Sequence, residues 1–317
     1  MALLAKSFRL VLAATVLSGV TANLARADDE IEKKIRDEVS RRVTDAISKR
    51  IGDDVTSDME GMPDTGYTNS FWLTPSYANV SSDSDSLIEE AGSKFSTDLW
   101  TVPFGIDHRF GENLFLGISG AYANSATDID IIDGGPDADF YSDTFTVSPY
   151  VAYRFASYFF ATGMFSYAYS DGKSTADDTD DVDSDSQTFS GELALNAAAP
   201  VGDFILKGKA GWRYSYTELL DFEAEGDDDS DAHTAVGSFE VGYNLDPFVP
   251  YFGVQYEHVF PENVPEVDEG DQDFLYLSGG VRGRVNDWLS LGAGVRAEVV
   301  NQETNQIGGQ VEFKARF

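Results

Sequence analysis

Carboxylates are the residue type whose spacing most suggests chemistry in this chain. Two runs are dense in them: Asp177, Asp178, Asp180, Asp181, Asp183 and Asp185 in the first, Asp227, Asp228, Asp229 and Asp231 in the second. Carboxylate oxygens take hard cations such as Ca²⁺ and Mg²⁺. Asp177, Asp178, Asp180, Asp181, Asp227, Asp228 and Asp229 are therefore candidate weak divalent-cation ligands. Neither run has the glycine at the sixth position and the glutamate at the twelfth that a twelve-residue calcium loop needs. The competing reading is a solvated, self-repelling surface.

The second set of chemically interesting residues is basic: Arg154, Lys207, Lys209, Arg213, Arg282, Arg284, Arg296, Lys314 and Arg316. All lie on the polar parity of alternating segments or at their ends. Glu298 and Glu312 share that parity, as do Asp107, Glu192, Glu240 and Glu257. Such rows can attract anions into a pore, or they can pair inside a filled lumen. Both readings fit the pattern. For hydrolysis there are only His108, His233 and His258, and no spacing among them and the many serines marks a nucleophile. No enzyme activity and no cofactor are expected. The absence of cysteine removes disulfides, thiolate metal sites and thiol catalysis.

Composition alone points to a soluble acidic protein. Against 55 Asp+Glu stand 22 Lys+Arg, a formal net charge of −33 over 317 residues. Mean hydropathy is −0.25. That charge excludes nucleic acid as a partner, since a phosphate backbone needs a basic face. After the first 25 residues no run of about 18 apolar residues appears, so no transmembrane helix is expected.

The distribution of residues changes this reading. Residues 1–27 have the form of a cleaved signal peptide: Lys6 and Arg9, an apolar stretch from Leu10 to Val20, then Ala25-Arg26-Ala27. Export without cysteine suits a bacterial envelope. Residues 28–66 form a second unit, an amphipathic helix and linker. Ile31, Ile35, Val39, Val43, Ile47, Ile51 and Val55 recur every four residues among charges, and Gly61-Met62-Pro63 ends the pattern.

From 67 to 317 the period is two. Phe145, Val147, Pro149, Val151 and Tyr153 alternate with polar neighbours, as do Leu289, Leu291, Ala293, Val295, Ala297 and Val299. Twelve such runs can be placed: 69–80, 97–108, 114–125, 143–154, 158–169, 188–198, 204–216, 234–245, 249–259, 273–284, 289–300 and 307–317. Each is about the 9–11 residues that a tilted strand needs to cross a bilayer. Short turns alternate with long connections, and more than half of the acids fall in the long ones. Aromatic residues gather near both ends of the apolar faces. An even strand number, short turns on one side and long loops on the other describe an outer-membrane barrel. The fold class is therefore all-β: a 12-stranded antiparallel transmembrane β-barrel with a short N-terminal α-helix.

Several segments resemble the β-barrel translocator domain of bacterial autotransporters. They are Phe104-Gly105-Ile106-Asp107, Pro149 to Tyr153, Pro250 to Phe260, and the closing pair Leu289–Glu298 and Gln310–Phe317. The resemblance implies a helix running through the lumen and an exported passenger ahead of the barrel. Only 28–66 precedes the barrel here, too short for such a passenger. It also implies that Phe313 and the terminal Phe317 are read as an assembly signal by the outer-membrane barrel assembly machinery. The expected partners are then outer-membrane lipid, that machinery and divalent cations at the external loops, in a Gram-negative outer membrane. The expected function is a structural or translocator-like barrel with a helix-occluded lumen; the alternative is a small-solute, anion-preferring channel. The helix itself can plug the barrel, stand in the periplasm and oligomerise, or serve as a tether. Its aliphatic stripe sits badly in a purely polar lumen.

Overall fold

A computed structural model describes residues 39–52, 67–82, 93–131, 138–176, 182–220, 230–262, 272–300 and 305–317. The signal-peptide segment, both ends of the expected amphipathic helix, the linker after it and the candidate cation ligands Asp177, Asp178, Asp180, Asp181, Asp227, Asp228 and Asp229 lie outside them.

Among the described residues one helix, α1 (39–52), accompanies thirteen strands: β1 (Asn69–Leu73), β2 (Ser76–Ser82), β3 (Ser93–Phe110), β4 (Leu114–Ile131), β5 (Ala138–Ala156), β6 (Phe159–Ala176), β7 (Val182–Val201), β8 (Phe204–Leu219), β9 (Ser230–Tyr243), β10 (Phe248–Glu262), β11 (Asp273–Arg284), β12 (Leu289–Val300) and β13 (Asn305–Arg316). From β2 onward each strand pairs antiparallel with the next, and β1 and β2 both pair with β13 and with β3, which closes the sheet. Thirteen reduces to twelve. Leu73 faces Phe104 and Ser76 faces Thr101, so the register on β3 runs unbroken across Thr74-Pro75. Leu73 faces Phe313 and Ser76 faces Gln310, so it does on β13 as well. Pro75 has no N–H to give the ladder, and that omission alone divides one strand into β1 and β2. The chain closes on itself where the Asn69 N–H donates to the Phe317 carbonyl at 3.1 Å and the Phe317 N–H donates back at 3.0 Å.

Closure removes the free sheet edge, as a membrane-spanning sheet requires. The outward face carries the apolar parity. Ile118, Phe145, Leu195, Phe239, Phe252, Val295 and Ile307 are all exposed, and Leu193 is 72% exposed. Tyr153, Phe159, Phe204, Phe248, Trp288 and Phe317 form the aromatic band near the short turns, and Trp100, Tyr122 and Tyr214 belong to the other. At that second level tyrosine hydroxyls donate to outward aspartates: Tyr77 to Asp98 and Tyr122 to Asp143 at 2.6 Å, Tyr256 to Asp273 at 2.5 Å. An amphipathic ring with its hydroxyl toward water is the side chain such an interface favours.

The strand boundaries depart from the sequence reading. β3 to β7 run 18 to 20 residues, whereas β11, β12 and β13 have 12 each. Residues assigned to long loops, such as 126–131, 138–142 and 170–176, continue the ladder instead. The reason is chemical. Past this belt the outward face turns acidic (Asp128, Asp139, Asp171), while the inward face mixes Ser and Thr with Phe95, Ile129, Ala138 and Phe140, so the outward apolar alternation fades although backbone pairing does not. Inward hydroxyls pair across strands there, Thr97 with Thr127 at 2.9 Å and Thr144 with Ser170 at 2.8 Å.

Candidate functional site: the lumen and its helix

The inside of the barrel has two unlike walls. Along β3 to β6 the inward side chains are mostly small or apolar: Leu99, Ala121, Ala123, Ala152, Met164 and Ala168 among Ser119, Ser148 and Ser166, with Asp107 a buried charge among them. Along β7 to β13 they are charged: Glu192, Lys207, Lys209, Arg213, Glu240, Glu257, Arg282, Arg296, Glu298, Glu312 and Lys314. The lumen is therefore not purely polar.

Helix α1 matches this division. Val39, Val43, Ile47 and Ile51 form one stripe; Arg41, Asp45 and Lys49 form another, offset by two residues. At 3.6 residues per turn that offset is about 200°, so the stripes occupy opposite faces. The aliphatic stripe joins one buried cluster with Trp72, Leu99, Phe115, Ala121, Ala123 and Tyr150, and Ile47 is 0% exposed. Glycines make room for the aromatic part of that wall. A Cβ on Gly105 would lie 2.6 Å from the Trp72 ring, and one on Gly117 would lie 2.2 Å from the Tyr150 ring. With both rings flat on the wall, the Trp72 Nε1–H donates to the Tyr150 hydroxyl at 3.2 Å. That hydroxyl donates to Asp107 at 3.1 Å, and Ser70 donates to Asp107 at 2.8 Å.

The charged stripe meets the charged wall at three heights. Highest, toward the long connections, Arg41 stands 3.7 Å from Glu257 and over the rings of Phe274 and Tyr276, with 4.3 and 5.3 Å to the centroids. In the middle, Asp45 accepts from Arg213 of β8, from Arg296 of β12 at 3.1 Å and from Gln255 of β10 at 3.1 Å. Beside it Ser48 donates to Glu192 at 2.5 Å and accepts from Lys209 at 2.7 Å, and Lys209 pairs with Glu192 at 2.6 Å. Lowest, Lys49 lies 3.5 Å from Glu312 and 5.0 Å from the Tyr251 ring centroid. Arg213 also pairs with Glu192, 3.0 Å away, its partner across β7 and β8. The alternation of sign on the helix (basic, acidic, basic) is thus answered by its complement on the wall. Burying this many charges is tolerable only because each is paired.

The direction of the helix follows from these contacts. Glu257 and Phe274 lie near the long-connection ends of β10 and β11; Tyr251 and Glu312 lie near the short-turn ends of β10 and β13. The N-terminal end of α1 therefore points to the long-connection mouth and its C-terminal end to the mouth where β1 begins.

Of the bases singled out by sequence, Lys209, Arg213 and Arg296 hold the helix directly. Arg282 pairs within the wall, with Glu240 at 2.5 Å, and stacks on Tyr251 at 4.4 Å. Lys207 lies 3.9 Å from the same Glu240. Arg154, Arg284 and Arg316 sit half-buried near the short-turn rim, where Arg284 reaches Asp246 at 3.5 Å. Lys314 is buried on β13, Glu298 is half-buried beside Arg296, and Phe313 and Phe317 face outward. The sequence reading missed the helix side of the site, Arg41, Asp45, Ser48 and Lys49, and the aromatic platforms Trp72, Tyr150, Tyr251 and Tyr276. Among the described residues no group of three or more His, Asp or Glu is placed to hold a metal ion.

A closed twelve-stranded barrel threaded by one helix is the architecture the sequence resemblance implied, and residues 71–302 match the family described as Autotransporter beta-domain. The chain belongs to that family. No curated protein matches the sequence. Among solved structures, the translocator domain of the autotransporter NalP from Neisseria meningitidis is similar at a TM-score of 0.64 and 13% identity, covering 88% of this chain and 98% of that one. The transport unit of the autotransporter AIDA-I from Escherichia coli is similar at 0.63 and 16%, covering 78% and 90%. The beta domain of the Bordetella autotransporter BrkA is similar at 0.60 and 12%, covering 79% and 100%. At these identities the likeness is one of fold. The autotransporter β-domain is an outer-membrane barrel fold, and the exposed apolar belt of this chain is the surface such a fold turns to lipid.

Proposed function

We propose that this autotransporter-type barrel resides in the outer membrane of a Gram-negative bacterium as a translocator-like channel closed by its own helix. The single observation that carries this reading is the two-sided match between α1 and the lumen. The aliphatic face lies on the wall of mainly small and apolar side chains and the charged face on the charged wall. The orientation of the helix, with its N-terminal end toward the outer mouth, fits a chain that has passed outward through the lumen. The barrel would be assembled by the outer-membrane assembly machinery through Phe313 and Phe317, with no enzymatic activity and no cofactor. Loose divalent-cation binding belongs to the acid-rich connections. The anion-channel alternative would need the inward bases to line water; here Lys209, Arg213 and Arg296 are engaged with α1 or its neighbours.

Single-channel recording of the full-length protein in a planar bilayer tests the reading. The expected result is a closed channel with rare, brief openings. A large, steady, anion-selective conductance would overturn it in favour of the channel.

A further inference from the structure

The aliphatic stripe cannot by itself set the height of the helix in the barrel. It repeats every four residues from Ile31 to Val55, so a slip of one step replaces each Val or Ile with another. The charged stripe repeats differently. Lys33, Asp37, Arg41, Asp45, Lys49 and Asp53 alternate in sign at the same four-residue step, so its period is eight. A whole unit recurs with that period: Asp29-Glu30-Ile31-Glu32-Lys33-Lys34-Ile35, then Asp37-Glu38-Val39-Ser40-Arg41-Arg42-Val43, then Asp45-Ala46-Ile47-Ser48-Lys49-Arg50-Ile51. The next unit, beginning at Asp53, loses both cations to Ser57 and Asp58.

The wall reads this period. A four-residue slip toward the short-turn mouth would bring Arg41 against Arg213 and Arg296, and Asp45 against Glu312. Both contacts are between like charges in a buried site. An eight-residue slip restores the type at each of these contacts, while Arg36 falls at the place of Thr44 and Glu38 at that of Ala46. Lys33 takes the place of Arg41 beside Glu257, and Asp37 takes that of Asp45 between Arg213 and Arg296. Ser40 replaces Ser48 at Glu192 and Lys209, Arg41 replaces Lys49 at Glu312, and Val39 and Val43 replace Ile47 and Ile51.

We propose that the lumen is an indexed seat with a second stop, in which the unit 37–43 occupies the place now filled by 45–51. The step between stops is a screw motion of eight residues, about 12 Å along the axis with a turn of about 80°. The plug is then a sliding helix held at discrete heights. The inference rests on the reading of α1 as the lumen plug.

Paired spin labels test it in the full-length chain in a bilayer. The protein has no cysteine of its own. A side chain at Gly52 meets nothing within 4 Å, and Glu112 and Asp287 are exposed on short turns. Labels at Gly52→Cys with Glu112→Cys, and at Gly52→Cys with Asp287→Cys, report the height of the helix. The unaltered register gives one narrow distance for each pair. Asp45→Asn is expected to give narrow distances at new values, set by an axial step of about 12 Å toward the short-turn side. Asp37→Asn leaves the distances unchanged, and the double variant broadens them. Distances that stay in place in Asp45→Asn, or that broaden as in the double variant, overturn the second stop. A steady open conductance of the unaltered chain sinks the plug reading instead, so the two failures are told apart.

Discussion

Replacing Arg213 by methionine removes the guanidinium that joins helix to wall. Arg213 is 4% exposed and pairs with both Asp45 and Glu192. Deleting one partner of a buried pair costs about 3–5 kcal/mol, because the other charge stays buried. Here neither carboxylate is fully abandoned. Asp45 keeps Arg296 and Gln255, each at 3.1 Å, and Glu192 keeps Lys209 at 2.6 Å and Ser48 at 2.5 Å. The low end, about 3 kcal/mol, is the appropriate figure. At about 1.4 kcal/mol per tenfold, the helix should spend roughly a hundredfold more time out of its seat. Open probability in planar-bilayer recordings reads that ratio directly. A thermodynamic cycle isolates the cause: Glu192→Gln combined with Arg213→Met should cost less than the sum of the two, by about 0.5–3 kcal/mol. An Arg213→Met channel that stays as closed as the parent would refute the reasoning. So would strictly additive costs in the cycle.

Three further outcomes follow from the same structure. Ile47→Ala leaves a cavity where the helix meets Leu99 and its neighbours, and should weaken helix docking by about 2–5 kcal/mol without unfolding the barrel; the check is open probability alongside unchanged resistance of the barrel to heat and detergent. Gly117→Ala forces the Tyr150 ring off its wall and should cost about 1–3 kcal/mol, read as a lower unfolding midpoint and an altered Trp72 emission. Leu193→Arg, at the most exposed apolar side chain of the outward face, should destabilise the protein by about 2–4 kcal/mol in bilayers. Equal denaturant midpoints for parent and variant in lipid would show that this face does not meet hydrocarbon.

Which parts could be read from the sequence follows from what each pattern encodes. A dyad of apolar residues ten to twelve long marks a lipid-facing strand, so β11, β12 and β13 lie close to the expected runs. The same criterion shortened β3 to β7. Beyond the lipid, Asp171 faces Asp143 and Asp185 on the outside while Ser and Thr line the inside, and such a strand looks like a polar loop. The inward parity of the bases was legible too, but their partners were not. Arg213 meets Asp45 across a separation of 168 residues, and nothing in either neighbourhood names the other. Trp72 and Tyr150 carry no polar signal. Their inward position shows only in the glycines opposite them, Gly105 and Gly117. The eight-residue repeat of the helix lay open in the sequence. It acquires a meaning only when the wall shows the complementary order of charges.

The apparent misfit between an aliphatic helix and a polar barrel is resolved by dividing the barrel. A uniformly charged lumen would leave Val39, Val43, Ile47 and Ile51 against water or ions. A uniformly apolar one would strand Arg41, Asp45 and Lys49 without partners, at several kcal/mol each. Putting mainly Ala, Ser and Leu on β3 to β6 and most of the charges on β7 to β13 satisfies both faces at once, and at a given height it does so for one rotation of the helix only. Rotation is therefore fixed by the split between walls, while height is fixed by the order of charges along one of them. These are separate determinants. Removing a charge should release the helix along the axis and leave its facing intact, whereas truncating an aliphatic side chain weakens docking without moving the helix along the axis.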